Sequence, residues 1–271
     1  IGHLGLLDVQ KEWHWENNEL YLYPPSGTDI NSLLVEARVR TYGFDLTGRT
    51  GVTLEGLNFK AAAIQMANTT NCVVNEISSR FGSPFTSFFA HGWGDYANGD
   101  AAIHISGDNN VVQNSYVGYT WGHGISLWAN NSTLENNIIE QCDWMAERMS
   151  PIFAPGDDNL ITKNTIHDAG RDGIELGNQT WINKFARRAT VTYNHIYDCG
   201  YLCPDSGSIY VNHQGYNINK IADSEIAYNI IHDFKHTWLS AFGGIYLDNG
   251  SSGYKVHHNI LWNVRGGIKA N

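Results

Sequence analysis

The chain has 271 residues, a net charge of −10 at pH 7 and an aromatic content of 12%, with nine Trp and fourteen Tyr. Excess acid over base disfavours a nucleic acid or an anionic membrane as partner, although a local basic patch would still accept an anionic polysaccharide. No hydrophobic run is long enough to span a bilayer.

Residues 1–41 precede any repeat. The run Glu12-Trp-His-Trp-Glu16, then Asn17-Asn18, then Glu19-Leu-Tyr-Leu-Tyr-Pro-Pro25 predicts a hairpin closed by a proline stop. We expect this segment either to cap a solenoid end, since exposed strand edges are usually covered, or to join a missing N-terminal part.

From residue 42 to 271 one phrase recurs. Apolar residues stand at Ile64, Ile103, Ile125, Ile152, Ile174, Ile209, Ile245 and Ile268, with a second apolar or small residue two positions on. Between them lie Gln65, His104, Ser126, Phe153, Glu175, Tyr210, Tyr246 and Lys269. This period of two marks a strand with one buried face. A second phrase ends at Glu55, Asn75, Asn114, Asn136, Asn164, Asn194, Asn229 and Asn259. Asn tolerates left-handed backbone and suits a bend, so this column reads as an Asn ladder at a fixed corner. Spacing between its members varies from about 20 to 39 residues, as in a solenoid whose loops absorb insertions. The prediction is an all-β, single-domain solenoid of about eight coils over 42–271.

These phrases resemble the right-handed parallel β-helix superfamily, the fold of pectate lyases and many carbohydrate-active enzymes. Asn229-Ile-Ile-His-Asp233 and Gly244-Ile-Tyr-Leu-Asp-Asn-Gly-Ser-Ser-Gly253 are similar to a narrower group, the β-helix glycoside hydrolases that include α-L-fucosidases and xylanases. The resemblance implies a carbohydrate substrate, two-carboxylate hydrolysis in a groove, and an extracellular or periplasmic location. A polysaccharide lyase and a non-catalytic carbohydrate-binding helix are the alternatives.

Outward strand positions form a grid, because stacked strands lie about 4.8 Å apart. The catalytic candidates on it are Asp248, Glu175 and Asp205, with Asp172 as a lesser one. Glu175 and Asp248 sit two coils and two residues apart, roughly 12 Å between backbones, compatible with an inverting pair. The resemblance favours Asp205 with Asp248 instead. His104, Trp128, Tyr210, Asn212, His213, Tyr246 and Lys269 are candidate sugar-binding residues. His123 stands in a Gly-His-Gly phrase similar to one polygalacturonase motif, but that family's paired aspartates are missing at Ile103-His104-Ile105. No cofactor is expected. Calcium is an option that the resemblance to lyases raises, with Asp157-Asp158 as the pair to hold it.

Cys72 and Cys142 read as buried thiols, and Cys199 and Cys203, four apart, as a possible disulfide. Long loops at 76–100, 177–189, 197–206, 212–224 and 234–242 are expected to wall a groove. The opening at Ile1 without Met and the stop within a coil at Asn271 suggest a processed or incomplete chain. Oligomeric state is not legible.

Overall fold

The computed structural model describes residues 3–83, 101–144, 149–178, 186–213, 222–235 and 243–271. Two units emerge, Ile1–Val39 and Arg40–Asn271. The first contains an antiparallel hairpin, Trp13–Glu16 against Glu19–Leu22. Its turn residues Asn17 and Asn18 both have positive φ, 52° and 65°, the backbone that tight hairpin turns require.

The second unit is a parallel β-helix. Each coil gives one strand to each of three sheets. The first sheet has nine strands, from Tyr42–Asp45 to Ile268–Ala270. The second has eight, from Thr53–Glu55 to Tyr254–His257, and the third eight, from Asn58–Lys60 to Ile260–Trp262. In the first sheet Ile64, Ile103, Ile125, Ile152, Ile174, Ile209, Ile245 and Ile268 pair in unbroken register. All but the last are fully buried, and Ile268 is 52% exposed. The inner columns of the other sheets, such as Val112-Leu134-Ile161-Val191-Ile226 and Val117-Ile139-Ile166-Ile196-Ile231, complete one continuous core. Each buried aliphatic side chain contributes roughly 1.5–3 kcal/mol.

The corner between second and third sheets explains the Asn ladder. Glu76, Asn114, Asn136, Lys163, Tyr193, Tyr228 and His258 all turn the chain there with φ between 52° and 58°, a conformation costly for residues other than glycine. The next residue offsets that cost with hydrogen bonds between coils. Asn137 Oδ1 accepts from the Ser115 amide at 3.0 Å, Asn164 Oδ1 from that of Asn137, Asn194 Oδ1 from that of Asn164, and Asn229 Oδ1 from that of Asn194. Asn259 extends the ladder to the last coil. The expected column is correct from Asn164 onward and slips before it. Asn114 and Asn136 are the exposed turn residues one place earlier, and Asn75 is a strand residue paired with Gln113. A second ladder, not anticipated, runs through Asn110, Ser132 and Asn159 at the corner between first and second sheets.

All four cysteines are free. Cys72, Cys142 and Cys199 are buried, and Cys203 is half-buried in the loop that follows. The disulfide considered for Cys199 and Cys203 is therefore not formed.

Candidate active site

The outward column of the first sheet follows the predicted grid. Gln65, His104, Ser126, Phe153, Glu175, Tyr210, Tyr246 and Lys269 align by register. Asn212 pairs with Asp248 two positions further along. The outward residues are not spread open to solvent, however. Phe153, Glu175, Tyr210 and Tyr246 are 1–3% exposed. Their polar groups are turned onto one another, and two polar clusters result.

The first cluster centres on Asp248. Its carboxylate accepts from Tyr210 Oη at 2.8 Å, Tyr246 Oη at 2.8 Å, the Asn249 amide at 2.8 Å, Asn249 Nδ2 at 2.7 Å and Asn271 Nδ2 at 3.2 Å. Burial by itself would raise this carboxyl, but the donors Asn271, Tyr246, Tyr210 and the Asn249 amide outweigh it and hold it below the usual range. Asp248 is thus a fixed anion. Asn212 donates to Tyr210 Oη at 3.2 Å and accepts from Asn249 Nδ2 at 3.2 Å. Lys269 Nζ lies 5.1 Å above the Tyr246 ring.

The second cluster gathers Asp143, Asp172 and Glu175 around Arg171. Arg171 Nη1 lies 3.0 Å from Asp172 Oδ2 and 4.0 Å from Glu175 Oε2, and Nη2 donates to the Asp205 carbonyl at 3.0 Å. Its guanidinium stacks 4.9 Å from the Tyr210 ring. Ser150 Oγ donates to Glu175 Oε2 at 3.1 Å, and Asp172 Oδ1 accepts the Gly207 amide at 3.0 Å. Both carboxylate oxygens of Asp143 are buried with no hydrogen-bond partner among the described residues. Arg171 is 4% exposed, Glu175 2%, and Asp143 and Asp172 are fully buried. Burial pushes the Asp172 carboxyl up to about 8, with Arg171 opposing and Glu175 adding to the rise. Burial likewise holds the Asp143 carboxyl well above its ordinary value against the pull of Arg171. Arg171 stays firmly cationic, since Asp172 and Glu175 outweigh the burial that opposes its charge.

The three expected acids take different partners. Tyr210 stands between Glu175 and Asp248, its ring on Arg171 and its hydroxyl on Asp248. Asp205 is exposed and joins the acid cluster through its backbone carbonyl. Arg171, Asp143 and Ser150 were not foreseen. Arg171 stood next to a candidate acid, which was a usable signal. Nothing local distinguished Asp143, whose place depends on which coil lies beside it.

The other candidates lie elsewhere. His104, Ser106 and Trp128 line an open hollow of about 350 Å³ with Asn68, Gly107, Asp108 and Asn130. Trp128 packs edge-on against Phe153 at 5.5 Å, and burial lowers the His104 pKa. His123 is a buried structural residue: its Nδ1 accepts the Ser150 amide at 3.0 Å, and burial drives its pKa down to about 3. His213 closes the strand Gly207–His213, but its side chain lies outside the described residues. So do residues 84–100 and most of the other loops expected to wall a groove.

Calcium does not fit the pair considered for it. Asp157 accepts from Arg187 Nε at 2.9 Å, and Asp158 from Arg188 Nε at 2.6 Å. Both carboxylates are neutralised by arginines of the next coil, so no calcium chemistry is derived there.

A parallel solenoid with stacked Ile columns, Asn-ladder corners and polar clusters on one sheet is the class of protein these features define. The family model described as the right handed beta helix region matches residues 95–261, more than half of the chain, and the chain belongs to that family. Comparisons with curated proteins and with solved structures each found no match.

Proposed function

We propose that the chain is a glycoside hydrolase acting on a poly- or oligosaccharide outside the cytoplasm, by a two-carboxylate mechanism on the first sheet. One observation carries the reading: on the same sheet, two coils apart, Asp248 is held as an anion while Asp172 holds a proton up to a pH of about 8. Carboxyls driven apart in this way mark a base and an acid. Asp248 is the base, activating a water. The cluster of Asp143, Asp172 and Glu175 stores the proton, because three ionised carboxylates around one guanidinium would leave a buried net charge. Glu175, on the outward column, delivers it to the leaving oxygen. The strands that carry Glu175 and Asp248 stand two coils apart, roughly 10 Å between backbones, which supports inversion over retention, since retention needs carboxyls about 5–5.5 Å apart.

The test is a panel of plant and algal glycans with reducing-end detection, run with the parent and Asp248→Asn. Cleavage by the parent that falls about 10²–10⁴-fold in the variant supports the assignment. Near-full activity in the variant defeats it. An unsaturated, ultraviolet-absorbing product would instead indicate a lyase. The burial of Glu175 and Tyr210 favours a second reading, a non-catalytic carbohydrate-binding helix whose acids are structural. Glycan binding without release of any reducing end would decide for it.

A further inference from the structure

The outer side of the third sheet carries chemistry that hydrolysis on the first sheet does not use. Glu140 and His167 pair in register on the strands Ile138–Cys142 and Thr165–Ala169. Their neighbours Ile139 and Ile166 point into the core, so alternation turns Glu140 and His167 outward. Asp168 follows with φ of 54°, which folds its carboxylate back toward the imidazole. His167 Nδ1 lies 2.8 Å from Asp168 Oδ2, and Nε2 lies 3.3 Å from Glu140 Oε2. Tyrosines hold the other oxygens: Tyr116 Oη donates to Glu140 Oε1 at 2.5 Å, and Tyr201 Oη to Asp168 Oδ1 at 3.0 Å. The His167 ring stacks on Tyr197 at 4.7 Å, which fixes its plane. All three residues are half-buried, reachable from solvent yet ordered by these contacts, and their donor atoms lie within 4.8 Å of one another.

We propose that this constellation binds a divalent transition metal of the zinc class. Glu140 Oε2 and His167 Nε2 are the direct ligands, and water fills the remaining positions. A separation of 3.3 Å suits two donors that each stand about 2.0–2.2 Å from one ion at a tetrahedral angle. Asp168 is a positioning residue. It holds the proton on Nδ1, so that Nε2 presents its lone pair, the carboxylate–histidine–metal arrangement that orients metal-binding imidazoles. Tyr116 and Tyr201 serve the two carboxylates in the same way. The mixed nitrogen and oxygen set excludes Ca²⁺, which takes six to eight oxygens.

The test titrates Zn²⁺ alone, and Ca²⁺ as a control, into the intact chain by calorimetry. Co²⁺ substitution supplies an independent absorption signature. Saturable one-to-one Zn²⁺ binding is expected, with no Ca²⁺ heat. Glu140→Gln and His167→Asn should abolish it, and Asp168→Asn should weaken it about 10–100-fold. His232→Asn should bind as the parent does: that ring lies on the far face of Tyr197 and pairs with His195 instead. Thermal scans separate folding from binding, because Zn²⁺ must raise the midpoint of the parent and of His232→Asn but not of Glu140→Gln. Absence of Zn²⁺ and Co²⁺ binding by the parent overturns the proposal. So does unchanged affinity in Glu140→Gln, or loss of binding in His232→Asn with retention in His167→Asn.

Discussion

Replacing Asn194 by Ala tests the Asn ladder where it is deepest. Asn194 is 1% exposed. Its Oδ1 accepts from the Asn164 backbone amide and from Asn164 Nδ2, each at 3.0 Å, and its Nδ2 donates to the Ile161 carbonyl at 2.9 Å and to Asn229 Oδ1 at 3.0 Å. Truncation orphans one backbone group, the Asn164 N–H, where water does not reach, and removes a side-chain bond to the Ile161 C=O. A buried unsatisfied group costs about 1–3 kcal/mol, so the loss should be about 1–3 kcal/mol. Asn259 makes an equivalent set of bonds on the last ladder rung but is only half-buried. Water can replace its partners, and Asn259→Ala should cost no more than about 1–2 kcal/mol. Urea titrations followed by far-ultraviolet circular dichroism give both values, compared at the same slope. Equal losses in the two variants, or a loss below about 1 kcal/mol at Asn194, would mean that the ladder does not stabilise through buried hydrogen bonds.

Ile209→Ala removes a fully buried member of the Ile column and should cost about 2–5 kcal/mol in the same titration. The folded Asp172 carboxyl keeps its proton up to about pH 8, whereas an unfolded carboxyl loses it near about 3.9. The folded state therefore binds more protons across that window, and this group's contribution to stability is lost as pH rises from about 4 to about 8. Asp172→Asn, which can still accept the Gly207 amide, should flatten that decline in thermal midpoints measured at pH 5 and pH 8. Arg171→Met should destabilise by about 3–5 kcal/mol at pH 8, where Asp172 begins to ionise and would be left without its buried cation. A milder effect at pH 5 than at pH 8 would show that the acids escape the penalty by protonation.

Most of the fold was legible because it is periodic. The Ile column could be aligned by alternation alone, and each of its pairings stands in the first sheet. The Asn column slipped between Asn136 and Asn164 for a physical reason. The turn residue and the ladder residue are adjacent, and the pairs Asn114-Ser115 and Asn136-Asn137 place an Asn in the turn. Left-handed backbone and ladder bonding both select Asn, so composition cannot say which of two neighbours performs which task. The corner's positive φ at Lys163 and Tyr193 shows that stacking, rather than residue preference, sets the turn.

The site was less legible, because lattice position does not fix side-chain direction. The grid gave Glu175, Tyr210, Tyr246 and Asp248 their correct rows. It could not indicate that both tyrosine hydroxyls turn to Asp248, nor that Glu175 turns the other way, toward Ser150 and Arg171. Those choices follow from charge. A buried Arg171 needs carboxylates within reach, and Asp172 and Glu175 are the acids that its strand supplies. Tyr210 then lies against the guanidinium, and its hydroxyl is left to satisfy Asp248. A single arginine, placed one residue before a candidate acid, thus divides the outward face into an anionic half and a proton-holding half.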